Sequence, residues 1–118
     1  MENKVTCDTI LNQLQEWIET RQVVSADTWL NGAGKLNILR GDEHNLLFDL
    51  QQAVATAKVA LLEQNDSVAM SKVKVEAMEC YKQMCRQKAK LERIEETIRI
   101  AKLQARLANE EYRHSNLN

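Results

Sequence analysis

The stretch from Ser67 to Arg113, SVAMSKVKVEAMECYKQMCRQKAKLERIEETIRIAKLQARLANEEYR, decides the fold. Within it Met70, Val73, Ala77, Cys80, Met84, Gln87, Leu91, Ile94, Ile98, Ala101, Ala105, Ala108 and Tyr112 follow one another at steps of three and four. That alternation marks an apolar seam along a helix, because side chains three and four apart share one face. Only Gln87 is polar on the seam, and neither Gly nor Pro interrupts the run. The spacing predicts one uninterrupted helix over residues 67–113. Arg86-Gln87-Lys88-Ala89-Lys90 are all good helix formers, so nothing there encodes a kink.

Working back from this element, a first helix is expected over residues 7–21. Ile10, Leu11, Leu14, Trp17 and Ile18 fall on one face, and Thr6 or Asp8 caps the start. Val23-Val24 belong to a short connector. Ser25 caps a second helix whose buried stripe is Trp29, Leu30, Ala33, Leu36 and Leu39. Gly32 and Gly34 lie inside that stripe, and each costs about 1 kcal/mol relative to Ala. They suggest close backbone packing or a bend. Gly41 reads as a C-terminal cap and Asp42 as the N-cap of a third helix, which runs to about Gln64 on Leu47, Leu50, Val54, Ala57 and Leu61. Asn65-Asp66-Ser67 is then a tight turn, with Asn65 left-handed and Asp66 or Ser67 capping the last helix.

The expected fold is all-α. Two short N-terminal helices (1–41) precede an antiparallel hairpin, made of a helix and turn over 42–66 and a long coiled-coil-like helix over 67–113. A disordered tail over 114–118, including His114, ends a single domain. At 1.5 Å per residue the third helix spans roughly 33 Å and the fourth roughly 70 Å. The fourth therefore outruns its partner near residue 88, where Gln87 is expected to emerge into solvent. The seam Leu91, Ile94, Ile98, Ala101, Ala105, Ala108 and Tyr112 needs a cover, either the N-terminal helices or a second subunit. Ile100, Leu103 and Leu107 form a second apolar surface, so two contacts are expected, one within the chain and one making a homodimer.

The 118 residues carry a formal net charge of −1, which gives no global field for nucleic acid. The charge is uneven: residues 1–66 hold five Lys/Arg against ten Asp/Glu, and residues 67–118 hold eleven against seven. Either the acidic half packs beside the basic helix or an acidic partner meets it. Three cysteines, Cys7, Cys80 and Cys85, form no paired pattern, and Met1-Glu2-Asn3-Lys4-Val5 starts no apolar leader. With no apolar run near the roughly 20 residues that span a bilayer, a cytoplasmic protein without membrane contact is expected.

Chemical sites are sparse. Gly32-Ala33-Gly34-Lys35 lacks the Ser/Thr and the preceding strand of a phosphate loop. Glu76-x-x-Glu79 and Glu92-x-x-Glu95 resemble the paired acidic motifs of all-helical nucleotide pyrophosphohydrolases, but with Glu where that family carries Asp. On one unbroken helix Glu76 and Glu92 stand roughly 24 Å apart, too far to share magnesium. Adjacent Asp42, Glu43 and His44 point in different directions, and Cys80 and Cys85 do not face one ion. Catalytic residues, metal ligands and cofactors are accordingly none. Lys82, Arg86, Lys88, Lys90 and Arg93 form a basic collar suited to phosphate or an acidic partner, with Tyr81 the sole aromatic beside it.

Lys35-Leu36-Asn37-Ile38-Leu39-x-Gly41-Asp42-Glu43-His44, Val75-Glu76-Ala77 and Arg93-Ile94-Glu95-Glu96-x-Ile98-Arg99-Ile100-Ala101-Lys102 together are similar to a group of small helical proteins of tailed bacteriophages. The resemblance covers about residues 29–113. It implies a phage accessory protein working in the host cytoplasm, and it supplies no active-site residues. The expected function is a non-enzymatic helical interaction protein, homodimeric, that binds a host or phage macromolecule. One alternative is a nucleic-acid accessory factor for replication, recombination or packaging, using the collar with Arg99, Lys102 and Arg106. Another is a magnesium-dependent nucleotide pyrophosphohydrolase.

Overall fold

The computed structural model describes residues 6–64 and 66–116, with side chains through Arg113. It is all-helical over those residues, with α1 at Cys7–Glu19, α2 at Ala26–Glu63, α3 at Val68–Glu76 and α4 at Glu79–Asn116. Three caps are those the sequence offers. Thr6 Oγ1 accepts from the Thr9 N–H at 3.3 Å, Ser25 Oγ from Thr28 at 3.2 Å, and Ser67 Oγ from Met70 at 3.1 Å. Each hydroxyl satisfies an amide that a helix start leaves without a partner.

α1 stops by a device its composition conceals. The Arg21 N–H donates to the Ile18 carbonyl and the Gln22 N–H to the Trp17 carbonyl, at 3.3 and 3.0 Å, with Arg21 at φ 52°. This is a Schellman closure, normally given to Gly because a Cβ crowds the left-handed region.

Boundaries differ from the sequence reading at several points, beginning with α1, which ends at Glu19 and not at 21. Residues 25–41 and 42–64 are not separate helices: α2 runs through Gly41-Asp42 for 38 residues, and no glycine has positive φ. The physical reason is phase. Trp29, Ala33, Leu36, Arg40, Glu43, Leu47, Leu50, Val54, Ala57 and Leu61 are all buried or half-buried at alternating steps of four and three. One stripe therefore crosses Gly41 without slipping, and a single Gly costs less than ending it. Conversely, the expected 67–113 helix is broken. At Ala77-Met78 the amides reach back only three residues, to Lys74 and Val75 carbonyls at 3.2 and 2.9 Å. The break lies here and not at 86–90. α4 then continues beyond Arg113 to Asn116, so 114–116 are helical where a disordered tail was expected. Asn65, the last two residues and the side chain of His114 lie outside the described residues.

The chain gathers into two compact units. The first unites α1, α2 up to Gly41 and α4 from Glu92. Its core is Leu11, Leu14, Leu36, Ile94 and Ala101, each at most 1% exposed, with Ile10, Trp29, Ala33, Ile98 and Ala105 around them. Gly32 is what lets α1 sit close: a Cβ there would stand 2.8 Å from Leu14 Cδ2. Gly34 has no such neighbour. Trp17 and Trp29 meet edge to face, centroids 5.6 Å apart, a favourable arrangement of ring quadrupoles.

The second unit runs from Asp42 to Leu91 and is the helical hairpin. Its inward stripe on α2 is only half-buried throughout. Fully buried positions are Ser71, Val75, Gln87 and Leu91. No described helix is long and apolar enough to cross a membrane.

Candidate interaction surfaces

The seam expected to make a dimer lies in the interior. Leu91 is 4% exposed, Ile94 0%, Ile98 6%, Ala101 0% and Ala105 2%. For Ile94 onward the cover is α1 and the start of α2, in the same unit. The homodimer contact expected at Leu91, Ile94, Ile98, Ala101 and Ala105 is therefore corrected. Side chains already packed inside the protomer have no surface left for a second copy. Ala108 is half-buried, and Tyr112 stands out at 69% exposure. The surplus calculated from helix lengths vanishes because α2 begins at Ala26, and α1 adds a third helix.

Ile100 is half-buried, while Leu103 and Leu107 are exposed. Leu107 borders a groove lined by Arg21, Val24, Trp29, Gln104 and Glu111, all within the first unit.

Gln87 corrects another expectation, because it does not emerge into solvent. It is 6% exposed, and its Nε2 donates to Glu43 twice, to the backbone carbonyl at 2.9 Å and to Oε2 at 2.7 Å. Lys90 Nζ completes the layer at 3.0 Å from Glu43 Oε1, its side chain 20% and that of Glu43 13% exposed. One carboxylate thus accepts from an amide and an ammonium across the hairpin. Hydrogen bonds to a charged group are worth about 1.5–3 kcal/mol, and these tie one position of α2 to one stretch of α4. Glu43, read from the sequence only as one of three adjacent polar residues that do not converge, is the centre of this layer. The missed signal is its place on the α2 stripe.

The basic collar is partly committed. Lys90 belongs to Glu43, and Arg86 Nη1 lies 3.3 Å from Glu79 Oε1 on the surface. Lys82, Lys88 and Arg93 are exposed. In the first unit Arg99 donates to Glu96, which holds the Glu96 carboxyl below its usual range and the guanidinium above its own. Hydrogen bonding with Cys85 raises the Tyr81 phenol, helped by the charges of Cys85 and Glu76. At the hairpin turn Lys74 Nζ lies 2.9 Å from Asp66 Oδ2.

Among the described residues no three His, Cys, Asp or Glu side chains come together as a metal would require. Glu76 closes α3 and Glu79 opens α4, so the break parts that pair. His44 and Cys85 are exposed, and Cys80, a position of the apolar seam, is half-buried.

Outward apolar groups occur in both units: Val23, Ile38 and Tyr112 are the most exposed of the first, and the second has a larger set on α2 and α3. Phe48 is 59% exposed, Val59 53%, Val68 68%, Met70 49% and Val73 63%. On α2 the outward face reads Phe48, Gln52, Ala55, Val59 and Leu62, again at steps of four and three. A shallow apolar depression lined by Ala55, Thr56, Val59 and Ala60 lies on it.

Comparison with known protein families, with curated proteins and with solved structures found no match to this chain.

Proposed function

We propose that this chain is a helical interaction protein, not a catalyst, and that it self-associates through the outward face of α2 in the second unit. One observation carries the reading: an exposed stripe of Phe48, Gln52, Ala55, Val59 and Leu62 whose apolar ends stand symmetrically about Ala55. Phe48 and Leu62 lie seven residues to either side of it, and the small side chain at the centre permits close approach of two backbones. A two-fold contact uses the same patch on both copies, so an antiparallel pair centred on Ala55 sets Phe48 of one protomer against Leu62 of the other. Large apolar groups exposed in a row at helical spacing are unusual on a surface without a partner.

The homodimer so formed is the binding unit for a further macromolecule, in keeping with the accessory role that the phage resemblance implies. Light scattering after size exclusion tests the reading. The parent is expected at twice the chain mass, and Val59→Asp at the monomer mass with its circular dichroism unchanged. A monomeric parent, or a Val59→Asp variant that remains dimeric, overturns it.

A further inference from the structure

α3 packs with the wrong side inward. Its buried residues are Ser71 and Val75, 0% and 4% exposed, while Met70 and Val73 face water. The Ser71 hydroxyl is buried without a hydrogen-bond partner. Such a group is held at a cost, since it has left water and gained nothing. The α4 residues that follow, Cys80, Met84 and Gln87, are half-buried or buried. At 100° per residue Ser71 and Val75 would stand roughly half a turn away from that row if α3 and α4 were one helix. Val73 would stand in line with it, with Ala77 about 50° and Met70 about 70° to one side. The turn at Ala77-Met78 is what sets the two apart, and it is made without Gly or Pro.

We infer that residues 68–91 form a two-state element, the broken form described above and a straight form in which α3 and α4 are one helix. Straightening turns Ser71 to water and brings Val73 into line with Cys80, Met84 and Gln87, with Met70 at the edge of that row. It replaces the three-residue turn bonds by regular ones and gives up the burial of Val75. Gains and losses fall on one short helix and oppose each other, as a bistable element requires. The consequence is a surface that changes: the broken form exposes Met70 and Val73, and the straight form withdraws Val73. This concerns α3 and does not depend on the α2 contact proposed above.

Pulsed dipolar spectroscopy tests it, with spin labels at Ala69→Cys and Lys88→Cys in a chain where Cys7, Cys80 and Cys85 are changed to alanine. A straight helix separates those two Cα atoms by roughly 28 Å, and any bend shortens the distance. Val75→Lys removes a side chain that only the broken form buries. Glu79→Pro puts proline at the first position of α4, where it is tolerated, but inside a straight helix it removes a bond and clashes. The long distance is expected to dominate in Val75→Lys and to be lost in Glu79→Pro, with the parent's fraction reporting the balance. A Val75→Lys variant without the long distance, folded or not by circular dichroism, overturns the proposal. So does a Glu79→Pro variant that retains it.

Discussion

The two compact units are built from the same two long helices, yet they are held together differently. In the first, α1 lies over the pair, and Leu11, Leu14, Leu36 and Ile94 are all but sealed from solvent. In the second, Leu47, Leu50, Val54, Ala57 and Leu61 occupy the same phase of α2 but remain half-exposed. The stripe is equally apolar in both, so composition does not account for the contrast. The number of covering elements does. Three helices enclose a core, whereas a hairpin leaves its seam open along the sides. The second unit supplements that thin seam with a polar layer, Glu43 with Gln87 and Lys90, and with an ion pair at its turn.

This contrast is open to measurement by urea unfolding. Leu36→Ala is expected to cost about 2–5 kcal/mol, the range for a leucine removed from a sealed core. Leu50→Ala in the half-open seam is expected to cost about half as much, since less area leaves water there. Equal losses would erase the distinction between the units. Glu43→Ala takes the carboxylate away from Gln87, which keeps its bond to the residue-43 carbonyl, and from Lys90, and a loss of about 1–3 kcal/mol is expected. A neutral result would mean that apolar contacts alone set the hairpin's register. The smallest effect has the opposite sign. Gly41→Ala is expected to raise stability by about 0.5–1 kcal/mol, because Gly41 is helical and a Cβ there meets nothing within 4 Å. If Gly41 capped a helix instead, the same change would destabilise.

Much of this fold is legible in the residues. The caps at Thr6, Ser25 and Ser67 rest on a local rule, a hydroxyl just before an apolar run, and local rules survive folding. The inward stripes of α1 and α2 are equally local, being periodicities of one helix. The misread boundaries share one cause. Gly41 looks like a stop because Gly often is one, but the stripe keeps phase across it, and the helix is set by what that stripe packs against. Ala77-Met78 looks like mid-helix because each residue favours helix, and the break is seen only in the turn that sets the buried face of α3 apart from the α4 row. Arg21 gives no sign of a left-handed residue, since its conformation is imposed by the closure of α1. The surface residues were legible only as types. That Ile94 and Ile98 are apolar on one face is plain, but whether that face meets its own chain or another is not a property of the face.

The order of amino acids, taken alone, determined an all-helical protein with apolar stripes of fixed phase, because periodicity and capping act over four residues and need no distant partner. Folding in three dimensions decided which stripe became core and which remained a surface. It buried Ile94 and Ile98 under α1, left Phe48 and Val59 to solvent, and drew Gln87 and Lys90 to Glu43. Burial is a relation between elements far apart along the chain. Periodicity states that a helix has an apolar side, and only the packed structure states what lies against it.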